Sequence, residues 1–450
     1  MLLSEKEAKA LCDAVFKRVT ADDAVVRVSS WSNANLRFAG NHFTTNGKTE
    51  SVDIRLTVWI DKKKASISTN ESDEGGIKKL VEDAEKLARI SPVDQEYMPS
   101  LGPQRYKPVD GFVAATADID LDERAKALNG VIEDCEKAQV IGAGFHQANA
   151  SATAFATKHG NFSYERSSLV SLSVSARSAD GASSGYFLRN HVDVAKLNVD
   201  RIANESIRKA VESRSPRTLE PGSYTVILEP QAVADLFVYY PMDAFDARST
   251  DEGRSAFTAG EGKTKLGTQV FDERLNLYSD PWRKDLPGSQ AAQDGLPAEK
   301  FYLVRRGVLE NLVYSRFWAQ KKGKQPTPGP VNVIIESTAP PDSMDSMIKS
   351  TQRGLLVGRF WYIRQTDPRS IALTGLTRDG VWYIEDGEIK YPVTNFRFNQ
   401  SVIELLSPGN VEMIGPVERV GGSEVQGTDA KLLPALKVKS FHFTSKSEAV

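Results

Sequence analysis

The stretch from Tyr224 to Phe257 reads YTVILEPQAVADLFVYYPMDAFDARSTDEGRSAF, and it decides how the second half of the chain is built. Val226, Ile227 and Leu228 form a short apolar run of the kind that fills a buried strand. Pro230 brings no backbone N–H and ends that strand. Ala232, Val233, Leu236 and Phe237 then recur at the spacing of one helix face. Pro241 breaks the helix soon afterwards. Asp235, Asp243, Asp246 and Asp251 are the carboxylates this stretch offers to a hard cation. As solvated helix and loop residues they need no such role.

Downstream the chain reads as mostly β. Candidate strands are Ser223–Leu228, Phe301–Val304, Val308–Tyr314, Val331–Ile335, Gly354–Ile363, Ile371–Arg378, Val381–Glu385 and Glu388–Val393. Asp386-Gly387 between the last two predicts a two-residue type I′ hairpin, whose central residues both need positive φ. Residues 258–298, rich in Gly, Lys and Asp, read as one long loop, long enough to carry a function or a partner contact.

Upstream the pattern mixes helices and strands. Residues 4–20 form a helix with Ser4 as N-cap and Glu7 at the reciprocal capping position. Ala24–Ser30, Asn33–Ala39, Val52–Ile60 and Lys64–Ser68 read as strands, with Asn46-Gly47 as a turn before the third. Ile77–Ala88 is an amphipathic helix, and Asp120 caps another over Leu121–Ala138. Val140–Thr157, Gly160–Ser175 and Ser184–Val192 follow as strands of one antiparallel sheet, then a helix over Val199–Glu212. The polar, proline-bearing SRSPRTLEPG at 213–222 marks a boundary. The fold class is therefore α+β: an N-terminal α+β domain (1–218) with an antiparallel sheet and flanking helices, and a C-terminal mostly-β domain (219–450).

The 57 basic and 59 acidic residues leave a net charge of −2 with no block of like charge, which argues against a nucleic-acid or membrane-surface partner. No apolar run approaches the roughly 20 residues that span a bilayer. Glu5, Lys6 and Glu7 interrupt the N-terminus where a secretory signal needs a continuous apolar core. Cys12 and Cys135, each inside a helical pattern, read as small buried apolar residues in a reducing cytoplasm. The five histidines show no metal-ligand spacing among themselves, and no Gly-x-Ser-x-Gly elbow accompanies the serine-rich runs.

Several ordered segments give the chain a family resemblance: the strand–proline–helix above, Arg37–Gly47, Ser68–Asp94, Asp294-Gly295, the Arg306-Gly307 turn, GNVEMIG at 409–415 and PALKVKSFHFTS near the end. The most specific is LTGLTRDGVWYIEDGEIKYPV at 373–393. Together they resemble the TldD/PmbA family of peptidase-related proteins. The resemblance implies proteolysis of unfolded or modified peptides, performed by a metal-bearing subunit together with a metal-free paralogue. The family's metal helix carries His-Glu-x-x-x-His; counted from Pro230, those positions are Val238, Tyr239 and Asp243. A zinc peptidase needs imidazole ligands and a carboxylate base. This chain offers neither histidine, and no cysteine follows Cys135.

The expectation is a metal-free, PmbA-like subunit with no catalytic and no metal-ligating residues of its own and no cofactor, zinc residing in the partner. Its partners would be a metal-bearing TldD-type paralogue, or a second copy of itself, and peptide substrates bound by strand addition. Tyr240, Phe245, Trp361 and Trp382 are the candidate walls of a peptide groove, with core or subunit-interface packing as the alternative. Two other functions stay open: a stand-alone peptide-binding or scaffold protein, and a hydrolase with a relocated carboxylate metal site built on Asp235, Asp243 and Asp246.

Overall fold

The structure, a computed structural model, describes residues 2–238, 240–260, 262–425 and 430–447. The fold is α+β. Helix α1 (Glu5–Phe16) starts with the reciprocal Ser4/Glu7 cap. Strands β1 (Asp23–Ala39), β2 (His42–Ile60) and β3 (Lys63–Thr69) follow, then α2 (Glu74–Ile90), the helical turn α3 (Ala114–Ala117) and α4 (Leu121–Lys137), whose N-cap Asp120 accepts from Glu123 N. Strands β4 (Ile141–Thr157), β5 (Phe162–Arg177) and β6 (Ser184–His191) and helix α5 (Val199–Glu212) complete this half. The strands run β3-β2-β1-β4-β5-β6, every neighbour antiparallel.

The two short strands expected between Ala24 and Ala39 are one strand, because the in–out alternation runs unbroken through Trp31 and Ser32. The expected Asn46-Gly47 turn is not a turn. Asn46 and Gly47 pair with Leu36 and Asn35, and the chain reverses earlier, at Gly40 (φ 62°) and Asn41 (φ 63°). The Asn41 side chain fixes that corner, donating to Val140 O and accepting from Gly142 N.

Even-numbered residues of β1 from Ala24 to Phe38 are buried, and α1, α2, α4 and α5 cover that face. One cluster joins α1 and α2 to Val26, Val28, Ile54 and Leu56; the other joins α4 and α5 to Leu36, Phe38, Leu172 and Val174. The opposite face carries Arg37 beside Phe145 and Ser173 in register, and the second half of the chain packs against it.

The second half opens with β7 (Gly222–Leu228) and α6 (Pro230–Leu236). The residues expected to form one loop at 258–298 instead contain a small ribbon, β8 (Thr258–Gly260) with β9 (Lys263–Thr264), and β10 (Leu275–Ser279). Strand β11 (Phe301–Arg305) follows, then β12, which keeps only Val308–Leu309 of the strand expected to reach Tyr314. Next come β13 (Val333–Ser337), β14 (Arg353–Val357), β15 (Phe360–Asp367), β16 (Ala372–Thr377), β17 (Val381–Glu385) and β18 (Glu388–Pro392). Strands β19 (Phe396–Ser401), β20 (Val411–Val420) and β21 (Lys431–Lys446) were not expected.

Strand β21 is the spine of this sheet: β7, β19 and β20 lie antiparallel to it and β13 parallel, while β7 also runs parallel to β14. The β17–β18 hairpin turns at Asp386 (φ 53°) and Gly387 (φ 76°), as the two-residue loop requires. Phe360, Phe396, Phe398, Phe441 and Phe443 fill the core with neighbouring ring centroids 4.6–5.5 Å apart. The run expected as one strand at 354–363 breaks at Gly358-Arg359 into β14 and β15, which sit in different parts of the sheet.

Candidate functional site at the seam between the two halves

Strand β7 enters the core with Val226, Ile227 and Leu228 fully buried. Pro230 opens α6, where its missing N–H costs nothing. All seven residues of α6 are buried, and the helix ends at Phe237. Pro241 has no N–H for the Phe237 carbonyl and its ring would collide with it. Val238 therefore lies half-buried in a turn, and Asp243 closes the one-turn helix α7 (Tyr240–Asp243) at the surface. Tyr239 and the side chain of Tyr240 fall outside the described residues.

Zinc does not fit these positions. Val238 has no lone pair, and the helix that would carry 238 and 243 on one face stops at Leu236. The aspartates are engaged separately. Asp246 caps α8 (Ala247–Asp251) through Ser249 N, while Asp251 accepts from Trp318 Nε1 at 2.8 Å and pairs with Lys322 at 3.4 Å. Among the described residues, no three His, Cys, Asp or Glu side chains gather to hold a metal ion.

What this stretch does instead is fasten the two halves and shape a groove. Asp235 Oδ2 accepts from Phe360 N at 3.0 Å; its Oδ1 accepts from Ser423 N at 2.9 Å and Gln231 Nε2 at 3.0 Å. Burial pushes the Asp235 carboxyl up to about 6, against the pull of the Arg359 guanidinium. Arg359 stands at the break between β14 and β15, ion-paired to Asp379 with both side chains buried. Its guanidinium stacks 3.8 Å from the Tyr186 ring and 4.7 Å from Trp361. One residue before α6, Glu229 forms an ion pair with Lys209 of α5.

Around Arg359 lies a cavity of about 290 Å³ lined by Arg37, Ser173, Ser175, Arg177, Arg378 and Glu424 among others. Sharing Arg177, Trp361, Arg378 and Asp379 with it is a larger groove of about 670 Å³ with Trp361, Tyr362, Leu376, Val381 and Val393 on its walls. Of the residues expected to line a groove, Trp361 faces both spaces. Phe245 does not: it is 1% exposed and packs on Phe257 at 4.6 Å. Trp382, 2% exposed, belongs to a small core with Ile227, Met347 and Leu356, the core packing that stood as the alternative to a groove wall. The arginine wall was missed because its residues lie far apart in sequence. A trace of it was present in the alternation that puts Arg37 on the polar face of its strand.

Residues 24–88 match the PmbA/TldA metallopeptidase domain 1, residues 114–214 the central domain and residues 221–445 the C-terminal domain. A curated relative, the metalloprotease PmbA homolog of Haemophilus influenzae, is 23% identical over 407 residues, 86% of each chain. An uncharacterized protein of Methanocaldococcus jannaschii is 26% identical over 305 residues, 64% of this chain and 68% of that one. TldE from Thermococcus kodakarensis shares the fold with a TM-score of 0.85 at 17% identity, covering 98% of this chain and 99% of its own. The matched domains and the fold define a metallopeptidase-type α+β protein. The chain belongs to the PmbA/TldD metallopeptidase family.

Proposed function

We propose that this chain is a metal-free, non-catalytic subunit of a PmbA/TldD-type metallopeptidase assembly that processes unfolded or modified peptides. The observation that carries the proposal is the donor set at the motif positions. Val238 and Asp243, with Tyr239 between them in sequence, replace two imidazoles and a carboxylate base, and α6 ends before reaching them. Zinc and the activated water then belong to a metal-bearing paralogue. This chain contributes a wall of the chamber and binds extended peptide, through free strand edges and the seam groove. The same fold supports pairing with a second copy of itself as the alternative assembly. The two buried cysteines fit a cytoplasmic setting, and none of the helices among the described residues is long and apolar enough to cross a membrane.

The test is co-expression with the metal-bearing paralogue from the same genome, gentle co-purification, and degradation of unfolded casein by each protein and by the mixture. Activity in the mixture alone supports the assignment; casein degradation by this chain alone refutes it. A chain that binds peptide yet captures no such partner belongs to the stand-alone binding class.

A further inference from the structure

The seam groove has two adjoining parts, an inner cavity and an outer groove, whose common wall is Arg177, Trp361, Arg378 and Asp379. The inner part gathers guanidinium groups in excess of carboxylates. Arg37, Arg177, Arg359 and Arg378 face Asp379 and Glu424 there. Asp379 is already paired with Arg359 and lies 3.8 Å from Arg378, and Glu424 accepts from Ile363 N at 2.8 Å and lies 3.6 Å from Arg364. Neither Arg37 nor Arg177 forms an ion pair among the described residues. The Arg359 side chain is 7% exposed, and its buried Nε finds no acceptor among the described residues. Burial holds Arg378 below its ordinary value; Asp379 opposes this, and Arg359 and Arg177 add to it. Like charges brought together in a partly dry cavity repel, and a bound anion relieves them.

The outer part has a different chemistry. Trp361, Leu376, Val381 and Val393 give it an apolar wall directly beyond the arginines. A ligand that matches both parts is an apolar side chain next to a single planar anion. Arginine forks suit a carboxylate through paired N–H donors.

We propose that the seam groove is a carboxylate seat. It takes the free C-terminus of an unfolded peptide on Arg37, Arg177 and Arg378, with the last apolar side chain against Trp361. This rests on the peptide-handling function proposed above and adds which end of the chain is read.

The experiment measures fluorescence anisotropy of the full-length protein with an N-terminally labelled Ala-Ala-Gly-Ala-Phe peptide, as the free acid and as the C-terminal amide. The acid should bind about tenfold more tightly, the scale of charge-assisted hydrogen bonds in a partly solvated site. Arg37→Gln and Arg177→Gln together, both on exposed side chains, should shrink that preference to about twofold. Equal binding of acid and amide to the unaltered protein overturns the carboxylate seat while leaving peptide handling intact. Failure of both forms to bind overturns both. A preference that survives the double substitution places the seat elsewhere and overturns this assignment. Arginine-dependent binding of inorganic phosphate without acid preference overturns it in favour of a phosphate site.

Discussion

Lys209 Nζ and the Glu229 carboxylate meet across the seam with side chains only 1% and 13% exposed. One belongs to the last helix of the first half; the other stands between β7 and α6. The Phe187 ring lies 5.4 Å from the ammonium, and Gly358 leaves room for it: a Cβ there would sit 3.2 Å from Lys209 Nζ. Lys209→Met strands a buried carboxylate and is expected to cost about 3–5 kcal/mol. Adding Glu229→Gln should recover much of that loss, because the orphaned charge goes with it. Urea unfolding of the single and double variants measures both; a double variant no better than the single contradicts a charge origin.

Gly185 of β6 lies directly under α5. An added Cβ would come 2.1 Å from Ser206 O and 2.5 Å from Ala210 N, both backbone atoms that no rotamer change can move aside. Gly185→Ala therefore forces the helix off the sheet, at an expected cost of about 1–3 kcal/mol or more. A thermal unfolding midpoint within a degree of the unaltered protein would contradict this packing.

Much of this architecture is legible in the sequence, and the failures have local causes. Ser4/Glu7 and Asp120 mark their helix starts, and Asp386-Gly387 marks its hairpin, because caps and two-residue turns are decided by a few adjacent residues. Asn46-Gly47 carries the same turn chemistry and is overruled. Pairing of Leu36 with Asn46 continues a long register that a reversal at that point would discard. The spine strand β21 escapes sequence reading because Pro434 and the buried Lys431 and Lys437 interrupt its apolar pattern. Those residues are tolerated by contacts made far away, such as Lys437 Nζ to Ser350 O at 3.0 Å. The missing imidazoles at 238 and 243 are plain in the sequence. The seam groove is not, since only the folded chain brings Arg37 and Arg359 to one cavity.

Asp235 gives the seam a pH signature. Its carboxyl is raised from the ordinary 3.8 to about 6, so the folded protein holds this proton more tightly than the unfolded chain does. The stabilisation from that proton is complete below pH 3.8 and is lost as pH rises through 6. Asp235→Asn removes this dependence and places an amide N–H among backbone donors. The stability advantage of the unaltered protein over the variant should therefore shrink by up to about 3 kcal/mol between pH 4 and pH 7. Depressed carboxylates such as Glu418 are common to both proteins and cancel in the difference. Guanidinium unfolding at the two pH values measures it, and an advantage that grows with pH contradicts the assignment.

Burial raises the Cys12 thiol to about 12, with Asp13 adding to it, and the Cys135 thiol to about 11, with Asp134 and Glu136 adding to it. Since the thiolate is the reactive species, both should resist iodoacetamide at pH 8 in the folded protein and react promptly in denaturant. Mass spectrometry reads the outcome directly; rapid native labelling of either residue contradicts its burial.

The most direct test of the central claim is peptidase activity on unfolded casein, measured with the metal content of the same preparations. This chain alone should be inactive and free of stoichiometric zinc, and activity should emerge when the metal-bearing paralogue is added. Casein degradation by this chain alone, with one zinc per polypeptide, would contradict the account.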